Sequence, residues 1–209
     1  MVQLDTPVSE SPAARWLPRQ PGNVRGQATA NRLSLAALEV AERQGVHAAT
    51  IDEICHVAGC SRRTFFHHFP SREAALLGPA VLTVTPESVS RYLAGPIPIL
   101  TGAIDLVDIP EEMSPSSPLG ARRHGLLRTS PQLQAAARER MAPAAITVLA
   151  AVTAKVAQLP GIARDEVRPI AEAVTTIAAA LIQSAYADGD NNPSEALRRL
   201  TPVWQHLIT

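Results

Sequence analysis

Cysteine is scarce: the 209 residues hold two, Cys55 and Cys60. That is too few for a disulfide framework or a zinc site, and the spacing to His56, His67 and His68 fits no zinc pattern. Both read as small packed side chains, and no metal or cofactor is implied. Net charge is absent, since 19 Lys and Arg balance 19 Asp and Glu; the totals therefore point to neither nucleic acid nor membrane. No apolar run reaches the ~20 residues that span a bilayer. The nearest, Ile170–Ala187, carries Glu172, Thr175, Thr176 and Gln183. The opening residues lack an apolar core of signal-peptide length, so a cytoplasmic protein with no membrane partner is expected. There is no Gly-x-Ser-x-Gly elbow, phosphate-cradling glycine loop or metal-ligand cluster, which argues against a hydrolase or transferase. Strand signals are missing throughout.

What is present is apolar, at 46 % of the chain, and patterned for helices, so an all-α fold is expected. Residues 1–26 hold Pro12, Pro18, Pro21 and Gly22 without apolar period and read as a flexible tail. Arg15, Arg19, Arg25 and Arg32 fall between Ser11 and Leu38 with no acid among them, the composition of a phosphate-seeking arm or of a plain solvated leader. From Gln27 to Gln44, Leu33, Ala37, Val40 and Ala41 recur at helical spacing, and Gly45 is placed to end that helix. Thr50–Glu53 has the capping-box form, starting a second helix at Ile51 that ends near Ala58. Ser61 can cap a third through about His67, and Ser71 a fourth.

Two short helices across a glycine turn form a helix-turn-helix. Cys55 and Ala58 are small enough for close crossing, Gly59 supplies the turn, and Ile51, Ile54 and Phe65 form the shared apolar seam. That packing leaves Arg62, Arg63, Phe66 and His67 on the outer side of the third helix, whose first residues reach base edges in the major groove. The arginine fork matches guanine O6 and N7, while the Ser61 hydroxyl suits a phosphate.

The stretch "TIDEICHVAGCSRRTFFHHFPSREAAL" (Thr50–Leu76) resembles the DNA-binding signature of TetR-type transcriptional regulators. The resemblance implies a helix-turn-helix domain at residues 27–77, followed by an effector-binding and dimerisation domain at 78–209. It implies a dimeric repressor, released from a palindromic double-stranded DNA operator by a small-molecule effector, and not an enzyme. Residue by residue it assigns DNA contacts to Thr50, Arg62, Arg63, Thr64, His67 and Arg72, to which Ser61 at the cap and Phe66 on the outer face are added from their own chemistry. Phe66 stands where the family commonly has tyrosine, which leaves only apolar contact to a thymine methyl or sugar. Cys55 replaces an alanine, Cys60 a valine, and Arg72 a lysine. The alternative reading is a helical small-molecule-binding module that has lost operator recognition.

The remainder carries no signature of its own. Helical patterns run over Leu119–Arg128, Pro131–Gln158 (with a kink expected at Pro143), Arg164–Ala187 and Pro193–Ile208. The last two are amphipathic, and the first of those is alanine-rich, so they are expected to pair with a second copy in a homodimer. Candidate walls of an effector pocket are Tyr92, Leu100, Ile104, Leu127, Val148, Val152 and Ile177, with Arg123, His124 and Thr175 as polar handles. With so few aromatics, an aliphatic effector suits these walls better than a flat dye.

Overall fold

The computed structural model describes residues 24–114, 116–187 and 193–207. The proline-rich opening with Arg15 and Arg19, and the last residue of the expected final helix, Ile208, lie outside them. Among the described residues the chain is all-helical: α1 (Val24–Gln44), α2 (Ile51–Ala58), α3 (Arg62–His68), α4 (Arg72–Leu77), α5 (Pro86–Ala94), α6 (Ile99–Asp105), α7 (Pro118–Thr129), α8 (Pro131–Val156), α9 (Arg164–Ala187) and α10 (Pro193–Leu207). A 3-10 turn covers Glu111–Met113, and one isolated antiparallel bridge joins Thr83 to Asp108. No described helix is long and apolar enough to cross a membrane.

The chain divides into two compact units. The first comprises the described residues up to Pro79 together with Ala135–Arg140; the second comprises Ala80–Gln134 and the residues from Met141 onward. In the first, α1 packs on α2 and α4, and α2 on α3. The buried face of α1 is Leu33, Ala37, Val40 and Ala41 with Ala30 and Leu38, the stripe that helical spacing predicts. The helix begins three residues before the expected Gln27, because Val24, Arg25 and Gly26 extend it without a breaker. Within the same unit Arg140 Nη1 donates to the Gly78 carbonyl at 2.6 Å.

The α2–α3 turn is set by backbone chemistry. Thr50 and Glu53 form the complete capping box at the start of α2. At its end Gly59 lies in the left-handed region, φ 61 and ψ 46, and the Cys60 N–H returns to the Cys55 carbonyl at 3.0 Å. With the Gly59 N–H on the His56 carbonyl at 3.2 Å, this is the Schellman pattern. A Cβ at Gly59 would meet nothing within 4 Å, so any penalty for a side chain is conformational. Gly59→Ala is expected to lower stability by ~1–2 kcal/mol, and Gly59→Asn by less, read as shifts of the urea midpoint. Equal midpoints for Gly59→Ala and the native chain would contradict this account of the turn.

The second unit is built on a core of Tyr92, Ile104, Leu106, Val148, Val152 and Val156, closed by Ala171, Ala178 and Leu181. Here α6 packs on α9, and α10 on both. Tyr92 donates from its hydroxyl to the Ile99 carbonyl at 3.1 Å, and burial pushes its phenol up to about 12. Gly102 lets α6 approach that ring, since a Cβ there would fall 2.5 Å from it. Lys155, the sole lysine, donates to the Gly95 and Leu93 carbonyls at 2.7 and 3.3 Å. These carbonyls close the C-terminal end of α5, the favourable end for a cation. Helix α8 is continuous through Pro143.

Candidate nucleic-acid interface

The third helix presents two unlike sides. Phe65 is fully buried and packs edge-to-face on Phe66, centroids 5.4 Å apart. Its other aromatic neighbour is Phe69, at 6.1 Å and 3 % exposed. Arg62, Arg63, Phe66 and His67 are exposed, as the spacing i, i+1, i+4, i+5 dictates for one helix face. Arg63, Thr64, Phe66 and His67 border an open depression of about 480 Å³. Ser61 caps the helix, accepting from the Thr64 N–H at 3.1 Å, and its hydroxyl lies 3.0 Å from the Thr64 hydroxyl.

Arg62 is aimed by a partner that sequence reasoning missed. Its Nη1 donates to both oxygens of Asp52, at 2.9 and 3.0 Å. The pair is 60 % and 68 % exposed, so its worth to folding is small and its consequence is orientation. The capping-box pattern accounts for Glu53 and is silent on Asp52; the one available signal was its opposite charge, ten residues from Arg62 across a tight turn. Nη2 and Nε of Arg62 take no part in these two bonds and supply donors for a base edge or phosphate.

Thr50 and Arg72 are more occupied than expected. The Thr50 hydroxyl accepts from the Glu53 N–H at 3.2 Å and donates to Glu53 Oε2 at 3.1 Å. Glu53 also accepts from Gln44 at 2.8 Å; that bond, then the Thr50 N–H, holds its carboxyl below the usual value. Arg72 Nη1 donates to the His47 and Ala49 carbonyls, both at 3.1 Å, while Nε and Nη2 donate to Glu73. Its guanidinium, 19 % exposed, ties α4 to the segment between α1 and α2 and keeps one N–H for an outside anion. For Glu73, burial raises the carboxyl and the Arg72 bonds outweigh it, leaving the net shift downward. His68 is half-buried, and burial, then the neighbouring His67, lowers its pKa.

The expected effector residues do not converge on one place. Tyr92, Ile104, Val148 and Val152 form the core of the second unit, with Leu100 and Ile177 packed against it. Arg123, His124 and Leu127 stand on α7, which packs chiefly on the 3-10 turn. Arg123 Nη1 donates to the Glu112 carbonyl at 2.8 Å, and burial lowers the pKa of both Arg123 and His124. Thr175 donates to the Ala171 carbonyl and borders an open groove between α8 and α9. No group of three or more His, Cys, Asp or Glu among the described residues is placed to hold a metal.

A comparison with curated proteins finds none that matches. The family model of bacterial regulatory proteins of the tetR family matches residues 35–77, which include α2, α3, α4 and the C-terminal part of α1 from Leu35. The match ends at Leu77, and it holds every side chain of the exposed α3 face, the turn that sets it and the Asp52–Arg62 pair. Over these residues the chain is similar to the regulatory proteins of the tetR family, a likeness that implies a DNA-binding transcription regulator.

Proposed function

We propose that the chain acts as a homodimeric repressor that reads a two-fold symmetric operator and leaves it when a small apolar or amphipathic effector enters the second unit. The observation that carries the proposal is the face of α3. An arginine fork steered by Asp52, a free-standing Arg63 and the exposed Phe66 and His67 rings share one side. They offer donors for guanine and apolar contact for thymine in a helix that fits a major groove. Ser61 and Thr50 are read as phosphate contacts at its edge and Arg72 as a brace. The neutral total is compatible with DNA binding because two such faces act together. Each half-site then needs only a few phosphate contacts.

Dimerisation is assigned to α9 with α8, in place of the last two helices. Ala196 and Leu197 of α10 pack against the second unit's own core. The exposed small-residue groove of about 590 Å³ runs between Ala142, Ala145 and Ile146 of α8 and Thr176, Ala179 and Ala180 of α9. Ile146 stands there 68 % exposed, beside the small side chains of a groove that a helix of a second copy would cover. Ile146→Asp is expected to convert a sedimenting dimer into a monomer while leaving the helical circular dichroism intact. The monomer should bind a single half-site at least tenfold more weakly than the dimer binds two. A native chain that sediments as a monomer, or a variant that remains dimeric, would contradict this assignment.

Effector entry is assigned to the Tyr92–Ile104–Val152 region, whose walls are aliphatic around one phenol. Opening that core to a ligand that favours the released state would shift operator affinity by the ligand's differential affinity, typically ~1–3 kcal/mol.

A further inference from the structure

The two cysteines are brought together by the turn itself. In a Schellman turn the side chains three places before the cap and two places after it meet, and that contact is ordinarily hydrophobic. Here the two positions are Cys55 and Cys60, joined by the Cys60 N–H to Cys55 carbonyl bond of 3.0 Å. Standard backbone lengths then hold the Cα atoms within about 7 Å, close to the reach a disulfide needs. Both thiols are free. Cys55 is buried and Cys60 only partly so. Burial, then the neighbouring Cys60, pushes the Cys55 thiol up to about 11. The same thiol feels the charges of Asp52 and Arg62, so the pair lies next to the ion pair that aims Arg62.

We propose that Cys55 and Cys60 form a dithiol modification site that a peroxide closes to an intrachain disulfide, releasing the protein from DNA. Cys60, the accessible member, attacks as thiolate on one peroxide oxygen. The O–O bond breaks, the other oxygen leaves as hydroxide and is protonated to water, and Cys60 becomes a sulfenic acid. The Cys55 sulfur then attacks the Cys60 sulfur as its proton passes to the departing oxygen. The S–O bond breaks, a second water leaves and the S–S bond forms. Two thiols lose two hydrogens, and one peroxide is reduced to two waters. Drawing the sulfurs into a bond of about 2.05 Å moves Cys60. Cys60 precedes Ser61, the cap from which α3 starts.

The effect on DNA rests on the regulator reading; the chemistry of the pair does not. The test treats the whole chain with hydrogen peroxide, alkylates it with iodoacetamide, digests it with trypsin and measures the peptide Gln44–Arg62. The expected peptide is two hydrogens lighter and unalkylated until dithiothreitol is added. Affinity for a duplex selected with the reduced protein is expected to fall at least tenfold and to recover on reduction. Cys60→Ser and Cys55→Ala, which keep the volume small, are expected to hold their affinity through the same treatment. Alkylation of both cysteines after oxidation, or a disulfide found only between chains, would overturn the site. An intrachain disulfide with unchanged affinity would overturn its coupling to DNA. A reduced protein that binds no duplex counts against the regulator reading, while the peptide mass still decides the dithiol.

Discussion

Phe65→Ala is expected to destabilise the first unit by ~3–5 kcal/mol, the cost of truncating a fully buried phenylalanine, and to abolish DNA binding. Phe65 has no exposed surface and touches both Phe66 and Phe69, so truncation opens a cavity where α3 seats. A small domain holds only ~5–15 kcal/mol in total, and this loss takes a large share of it. Phe66→Ala is the informative contrast. Its ring is 47 % exposed, so a stability change below about 1 kcal/mol is expected, with any loss confined to DNA affinity. Urea unfolding of both variants, paired with a binding titration, separates the anchor from the contact. If Phe66→Ala proved the more destabilising, the orientation of α3 would be wrong.

Arg62→Ala and Arg63→Ala are expected to cost ~1–3 kcal/mol each in operator binding, about five- to 150-fold, wherever the lost side chain reads a base. The two should differ in kind. Arg62 is held by Asp52 through a single nitrogen, so its remaining donors meet DNA in a fixed direction, as base reading needs. Its loss should relax preference at one position. Arg63 is exposed and makes no such pair among the bonds described, which suits a phosphate; its loss should weaken all sequences alike and flatten the salt dependence. Asp52→Asn keeps the shape and removes the charge beside the DNA-facing arginine. Non-specific binding should then rise while discrimination falls. Competition titrations at several salt concentrations read all three. Unchanged affinity in both arginine variants would remove α3 as the reading helix.

The parts of this molecule legible in its sequence are those set by neighbours three or four residues away. Thr50, Ser61 and Ser71 cap their helices by accepting the N–H three residues on. Gly59 takes the left-handed turn, and the four-residue step from Phe65 to Phe69 marks the buried side of α3. Contacts over longer separations left no local trace. The Arg62–Asp52 pair spans ten residues, and Arg72 reaches carbonyls 25 and 23 positions back. Cys55 and Cys60 look like independent small residues until the backbone bond between them is seen. The second unit was hardest to read because aliphatic helices of one composition can form a core, a pocket wall or a subunit interface. Tyr92 and Val152 lie in the buried core to which effector entry is assigned, and Arg123 donates to the Glu112 carbonyl.

The most direct test of the regulator account is selection of bound duplexes from a random DNA pool at near-physiological salt, with the native reduced chain folded and free of bound ligand. The account predicts enrichment of a palindromic motif with two half-sites, lost or degraded in Arg62→Ala. A pool that emerges no different from its starting composition would contradict it and leave a helical module that binds something other than an operator.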